Sequence, residues 1–337
     1  MKQLLEVQDL NVTFPTIDGD VRATVDMNFE LNRGETLAIV GESGSGKSVS
    51  SLAIMGLHNM ARTTITGQVF LHGEEKVTEI ISASSETVRK LRGKEMAMIF
   101  QDPMSSLHPY YSIGAQIAEA WRLHNDGSHK DGMARAIEML DLVEIPSAAK
   151  RAHEFPHQFS GGMRQRAMIA MALVNNPSLL IADEPTTALD VTVQAQILKL
   201  LKSMQNEFNM GVILITHDLG VVAEYANRVN VMYAGKIIEA AEVEDLYYRS
   251  MHPYTMGLLR SIPRVDKIDS GRLKAISGTP PSLINLPNAC SFAPRCEYRS
   301  QVEGNLCDTG QPALESKGEQ HTSRCFLSLS QIERARA

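Results

Sequence analysis

Apolar and polar residues alternate from Leu5 to Phe14, which predicts a strand with one buried face, and Asp18-Gly19-Asp20 supplies the turn after it. Glu35 to Val40 is apolar and β-prone, and the residues from Ser48 to Leu57 suit the start of a helix. Residues 66–75 read as a further strand and turn, and Met96 to Phe100 as a short buried strand. From Ile113 to about Leu142 the period becomes helical. Ile117, Ala120, Trp121 and Leu123 share one face, followed by Ala136, Met139, Leu140 and Val143. Met163–Val174 predicts another helix, and Val191–Phe208 an amphipathic one lying between the apolar strands Leu179–Ala182 and Gly211–Ile215. Fully apolar strands alternating with helices indicate an α/β fold with a parallel sheet covered on both faces. From about residue 262 the periodicity fades and Pro, Gly, Ser and Cys become frequent, which predicts a loop-rich extension over 262–337 after a main domain over 1–261.

Bulk composition narrows the function classes. At 337 residues the chain suggests about two domains, and 43% hydrophobic with 21% charged residues is ordinary for a globular protein. The net charge of −6 argues against a general nucleic-acid binder. No signal-peptide stretch opens the chain, and the apolar run Ala167–Val174 is far short of the ~20 residues that span a bilayer. Any work at a membrane is therefore expected to go through a partner.

Residues 41–48, Gly-Glu-Ser-Gly-Ser-Gly-Lys-Ser, fit the phosphate-loop pattern at every fixed position, and they lie between a predicted strand and a predicted helix. Gly41, Gly44 and Gly46 let main-chain amides turn in around phosphate oxygens. Lys47 offers a cation to the β- and γ-phosphates and Ser48 a hydroxyl to Mg²⁺. The strand Leu179–Ala182 runs into Asp183 and Glu184. Alone this is a solvated acidic turn; beside a phosphate loop, Asp183 suits Mg²⁺ and Glu184 suits general-base duty on the attacking water. Ser160-Gly161-Gly162 opens a helix with exposed amides, a second anion site that one nucleotide does not obviously need. Gln101 follows a strand and can ligate Mg²⁺ or hold the attacking water. His217 also follows a strand, where a lone histidine is more often a plain loop residue, and Asp218 suits a helix cap.

The four cysteines, Cys290, Cys296, Cys307 and Cys325, all lie in the extension. Four thiolates so close in sequence suit one tetrahedral metal or one cluster, but the spacing matches neither a zinc ribbon nor a ferredoxin run. Zinc, iron–sulfur and free buried thiols all remain open on this ground.

Taken together, these segments resemble the ATP-binding subunit of ABC transporters over about residues 4–255. Gly41–Ser48 resembles its Walker A, Leu179–Glu184 its Walker B, Gln101 its Q-loop glutamine, Ala188-Leu189-Asp190 its D-loop and His217 its switch histidine. Ser160–Met163 is similar to its signature, with Met163 where the family usually has Gln. The resemblance implies a P-loop NTPase with a RecA-like core, an N-terminal antiparallel β subdomain and a helical subdomain over about 102–160. It also implies that Phe14 stacks on adenine, that Ser43, Ser45 and Val49 join the ATP contacts, and that Gln101 and His217 act with Glu184 in catalysis. Ser160, Gly161, Gly162 and Gln165 would serve ATP bound to a second ATPase subunit packed head to tail. That gives the second anion site a purpose.

Gln101–Leu107, Ser160–Gln165, Thr216–Leu219, Met232–Gly235 and His252–Thr255 narrow the resemblance to the D-type ATPases of the oligopeptide and dipeptide permease group. His108 stands where that group usually has Asn. This implies an ATPase powering peptide uptake, peripheral at the cytoplasmic face of the inner membrane. Its expected partners are two transmembrane permease subunits, a second related ATPase and, indirectly, an external substrate-binding protein. The group also implies a [4Fe-4S] cluster at the cysteines, with Zn²⁺ as the alternative. A nickel or other small-ligand importer is the alternative within the subfamily, and a non-transport ATPase on ribosomes or DNA the alternative outside it.

Overall fold

The computed structural model describes residues 2–74, 76–187, 189–262 and 276–336. The chain forms two compact units: Met1–Glu6, Glu30–Glu35 and Phe70–Ile215 make the first, and Val7–Phe29, Thr36–Val69 and Thr216–Ala337 the second.

The amino-terminal part holds β1 (Gln3–Thr16), β2 (Gly19–Asn32), β3 (Thr36–Val40), α1 (Lys47–Ile54) and β4 (Thr64–His72). In the second unit β1, β2 and β4 lie in the order β2-β1-β4. Gly67 has φ +97°, and a Cβ there would stand 2.3 Å from the Asp9 carbonyl oxygen, so β4 passes β1 too closely for any side chain at this position.

The first unit continues with β5 (Val77–Glu79), α2 (Ser85–Leu91), β6 (Met96–Ile99), α3 (Pro103–Ser106), α4 (Ile113–Arg122), α5 (His129–Leu142), α6 (Ala148–Arg151), α7 (Gly161–Leu173), β7 (Leu179–Asp183), α8 (Val191–Phe208) and β8 (Gly211–Thr216). β6, β7 and β8 are parallel, with Met96 opposite Leu179 and Leu179 opposite Gly211, and all three are buried along their length. This is the buried parallel sheet that the unbroken apolar runs predict. The helical stretch from Ile113 divides into α4 and α5. The break falls at Gly127, where a Cβ would stand 2.6 Å from the Trp121 ring. Ser128 then restarts the helix with a capping box: its hydroxyl accepts from the Asp131 amide at 3.3 Å and the Asp131 carboxylate accepts from its amide at 2.9 Å.

The second unit resumes with α9 (Leu219–Tyr225), β9 (Arg228–Tyr233), β10 (Lys236–Glu242), α10 (Val243–Arg249), α11 (Pro253–Arg260), α12 (Leu306–Thr309), β11 (Glu315–Gly318), β12 (His321–Ser323) and α13 (Leu329–Arg336). β3 pairs with β9 in parallel, β9 with β10 antiparallel, and β10 with β12 antiparallel. The extension therefore adds a β11/β12 hairpin to the sheet edge, although its sequence reads as loop. Glu239 on β10 is fully buried and fastens this edge. Its carboxylate accepts from the amides of Met251 (2.5 Å) and His252 (2.9 Å) and meets His321 Nε2 at 2.8 Å. Arg324 donates to the Ile237 carbonyl at 2.8 Å and pairs with Asp26 of β2. Phe292 of the extension packs among Tyr233, Tyr254 and His252, with ring centroids 5.3–5.7 Å apart.

Candidate active site

In the second unit, buried β3 delivers the chain into Gly41 and α1 begins at Lys47. A Cβ at Gly41 would fall 2.2 Å from the Met232 carbonyl oxygen, and one at Gly46 (φ +103°) 2.1 Å from that of Ala23, so no larger residue fits either end of the loop. Gly44, by contrast, has open space where a Cβ would sit. Lys47 is buried and donates to the carbonyls of Gly41 (2.8 Å) and Glu42 (3.0 Å), which closes the loop on itself. The Ser45 hydroxyl is buried and makes no hydrogen bond among the described residues, and Gly46 leaves the start of α1 without a side-chain cap. A loop with a buried lysine and an unsatisfied hydroxyl at the start of a helix fits a phosphate group. Ser43, Gly44 and Ser48 are exposed and Val49 is half-buried on α1. Half-buried Phe14 meets His58 edge-on, with centroids 5.5 Å apart. His217 is exposed after β8, and Asp218 caps α9 by accepting from the Gly220 amide at 2.8 Å.

The first unit holds Gln101, Asp183, Glu184, the Ser160 turn and Asp190. Asp183 ends β7 and is buried. Glu184 follows with φ +47°, a conformation costing about 1–3 kcal/mol in a non-glycine residue. Its amide donates to the Ile215 carbonyl at 2.9 Å, and its carboxylate accepts from Gln101 Nε2 at 3.1 Å and from the Thr187 hydroxyl at 2.8 Å. Strain, an aimed amide and a second donor fix this carboxylate at the strand end. Ser160 caps α7 by accepting from the Met163 amide at 3.3 Å. Gly161 faces open space, whereas a Cβ at Gly162 would press on Val193 of α8 at 2.9 Å. Gln165 is buried and donates to the Pro185 carbonyl at 2.6 Å, which ties α7 to the turn beside Glu184. Asp190 caps α8 by accepting from the Val193 amide at 2.9 Å. Ala188 of the expected D-loop lies outside the described residues. Of the three residues expected to hold Mg²⁺, Ser48 belongs to the second unit and Gln101 and Asp183 to the first.

Three further residues contribute. Thr187 bonds Glu184, the Tyr254 hydroxyl accepts from the Glu42 amide at 3.0 Å, and Arg295 binds the Glu42 carboxylate from 253 positions away. The partners of Tyr254 and Arg295 are set by tertiary packing, whereas Thr187 lies three positions from Glu184, a proximity that could have hinted at its role.

The cysteines are free thiols. Among the described residues no group of three or more His, Cys, Asp and Glu side chains is placed to hold a metal ion, and Cys290, Cys296, Cys307 and Cys325, where a [4Fe-4S] cluster or Zn²⁺ is expected, form no such group. Cys290 and Cys296 lie against the apolar cluster around Tyr254, and Cys325 against the one around Leu327. Burial pushes the Cys296 thiol up to about 11 and that of Cys325 to about 12 and raises Cys290 and Cys307 as well, and neighbouring cysteines add to the rise at Cys296, Cys307 and Cys325.

The description "ABC transporter" matches residues 24–187, and "Oligopeptide/dipeptide transporter, C-terminal region" matches 238–302. The chain is 48% identical over 96% of both chains to a putative peptide import ATP-binding protein of Brucella abortus. It is 47% identical to the oligopeptide transport ATP-binding protein OppD of Salmonella typhimurium, over 98% of this chain and 95% of that one. It is 48% identical to the dipeptide transport ATP-binding protein DppD of Bacillus subtilis, over 99% of this chain and 98% of that one. Among solved structures, a dimeric ATP-binding cassette in a post-hydrolysis state with ADP and Pi aligns with TM-score 0.63 and 27% identity, covering 71% of this chain and 99% of that one. The chain belongs to the ATP-binding subunits of ABC transporters, within the oligopeptide and dipeptide transport group. It is an ATPase with the P-loop fold of that family.

Proposed function

We propose that this chain hydrolyses ATP to power uptake of peptides through a multi-subunit ABC importer. The observation that carries this reading is the likeness, over nearly the whole chain, to ATP-binding proteins of oligopeptide and dipeptide transport, together with a phosphate loop shaped for a nucleotide.

In this reading Gly41–Val49 and Lys47 cradle the triphosphate and Phe14 borders the base. Ser48, Gln101 and Asp183 would hold Mg²⁺, which neutralises charge on the phosphates when bound. Glu184 takes the proton of the attacking water, with Gln101 and Thr187 orienting its carboxylate and His217 completing the catalytic set. Ser160, Gly161 and Gly162, with α7 anchored by Gln165, serve the ATP of a second, related ATPase subunit, and Asp190 lies at that junction. The region of α3 to α6 is where two membrane-spanning permease subunits dock. Met104, Tyr110 and Tyr111 expose large apolar surface there, Tyr110 at 82%. Among the described residues no helix is long and apolar enough to cross a membrane, which agrees with a peripheral subunit at the cytoplasmic face. The external binding protein delivers cargo to the permease, and nucleic acid has no part.

The test is co-expression with the membrane subunits. The chain is expected to co-purify with them and a second ATPase, and phosphate release in proteoliposomes is expected to rise when peptide-loaded binding protein is added. Stimulation by nickel and not by peptide would move the cargo to the alternative. Co-purification with ribosomes or DNA in place of membrane subunits would sink the transport reading.

A [4Fe-4S] cluster or Zn²⁺ at the cysteines is a separable part of the proposal, supported by their number and their location in one extension. Cluster-loaded protein purified without oxygen absorbs in the visible region, whereas zinc-loaded protein is colourless and carries stoichiometric metal. Colourless, metal-free protein with four titratable thiols removes both.

A further inference from the structure

Glu42 is the second residue of the phosphate loop, and every polar group it carries is engaged. Its carbonyl accepts from Lys47 Nζ at 3.0 Å and from the Ser45 amide at 3.2 Å, and its amide donates to the Tyr254 hydroxyl at 3.0 Å. Its carboxylate is gripped by both guanidinium ends of Arg295, at 2.7 and 3.0 Å. Arg295 comes from the extension, and its side chain is only 5% exposed. The guanidinium is itself fixed. Its Nε donates to the Ser277 carbonyl at 2.9 Å, Nη1 donates to the Tyr233 hydroxyl at 3.3 Å, and the group sits 5.8 Å from the Tyr233 ring centroid. The backbone that presents it is a 3₁₀ turn, Ala293–Arg295, bracketed by Cys290 and Cys296 and anchored by Phe292 in the aromatic cluster.

Two physical consequences follow. A Gly/Ser-rich loop loses much chain entropy on ordering, and a fork-to-fork clamp on its one acidic side chain fixes it before ligand arrives. A bare carboxylate in a loop built for a triphosphate also repels its ligand, and Arg295 cancels that charge. We infer that Arg295 is a positioning residue for nucleotide binding, holding the phosphate loop in its receptive shape from the carboxy-terminal extension through Glu42. The inference rests on the phosphate loop being the ATP site.

The test uses the full chain assembled with its membrane subunits and reads Mg·ATP affinity, KM and kcat. Arg295→Ala is expected to raise Kd and KM about tenfold, equal to about 1.4 kcal/mol, with kcat within about twofold of wild type. Adding Glu42→Gln to Arg295→Ala is expected to recover most of the lost affinity, because it removes the unpaired charge. A contact that only stabilised the fold would not be rescued this way. Arg295→Lys keeps the charge without the fork and is expected to fall between the two. Should Arg295→Ala fail to assemble, Arg295→Lys decides alone, since an unchanged KM in that variant overturns the inference. A wild-type KM in Arg295→Ala, or a double variant no better than Arg295→Ala, overturns it too. Lys47→Ala is the separate control: if that variant binds Mg·ATP as wild type does, the ATP assignment of the loop fails, whatever Arg295 does.

Discussion

Lys47→Ala is expected to weaken Mg·ATP binding by two orders of magnitude or so. The side chain is buried, and its ammonium reaches the carbonyls of Gly41 and Glu42 within the loop. Removing one partner of a buried, hydrogen-bonded charge pair costs about 2–5 kcal/mol, or roughly 30-fold to several thousand-fold in affinity. The alanine also removes the Lys47 donor from the Gly41 carbonyl and leaves the Glu42 carbonyl to the Ser45 amide, so the loop loses closure together with charge. Titration calorimetry with Mg·ATP checks this, alongside thermal melting to separate lost binding from lost fold. An affinity within threefold of wild type would remove Lys47 from the phosphate site.

Glu184→Gln is expected to leave nucleotide binding intact and to slow turnover by about 10²–10⁴, the usual worth of a positioned general base. The substitution keeps size and the strained φ of +47°, so the strand end is retained. It removes the basic oxygen that Gln101 and Thr187 now orient. Steady-state phosphate release gives the rate, and size-exclusion chromatography with ATP should show an accumulating nucleotide-bound pair of ATPase subunits. Wild-type turnover in this variant would show that another group activates the water.

Much of this site is legible in the sequence because it is local. Phosphate-loop glycines, a helix-capping Asp218 and an apolar strand ending in two carboxylates are each short-range patterns whose physics is complete within a few residues. The parallel strands β6, β7 and β8 are legible for a similar reason, since burial on both faces demands unbroken apolar runs. The break between α4 and α5 includes Gly127, where a Cβ would strike the Trp121 ring, a constraint that periodicity does not encode. β11 reads Glu-Ser-Lys-Gly, with no β-branched or aromatic residue, and becomes a strand through its pairing with β12. Glu42 and Arg295 resemble ordinary surface charges until the fold brings them together. The cysteines are the opposite case: their number and spacing leave zinc, a cluster and free thiols equally open.

The extension cannot be lifted off this ATPase as a spare part. Glu239 needs His321, β10 needs β12 along its edge, and the phosphate loop takes the counter-ion of Glu42 from Arg295. A chimera that grafts this tail onto another ATPase, or strips it from this one, therefore inherits a mismatched charge next to its fuel. Descent faces the same constraint: positions 42 and 295 are expected to covary across relatives, and a lineage that sheds the tail is expected to give up the acid at position 42 as well.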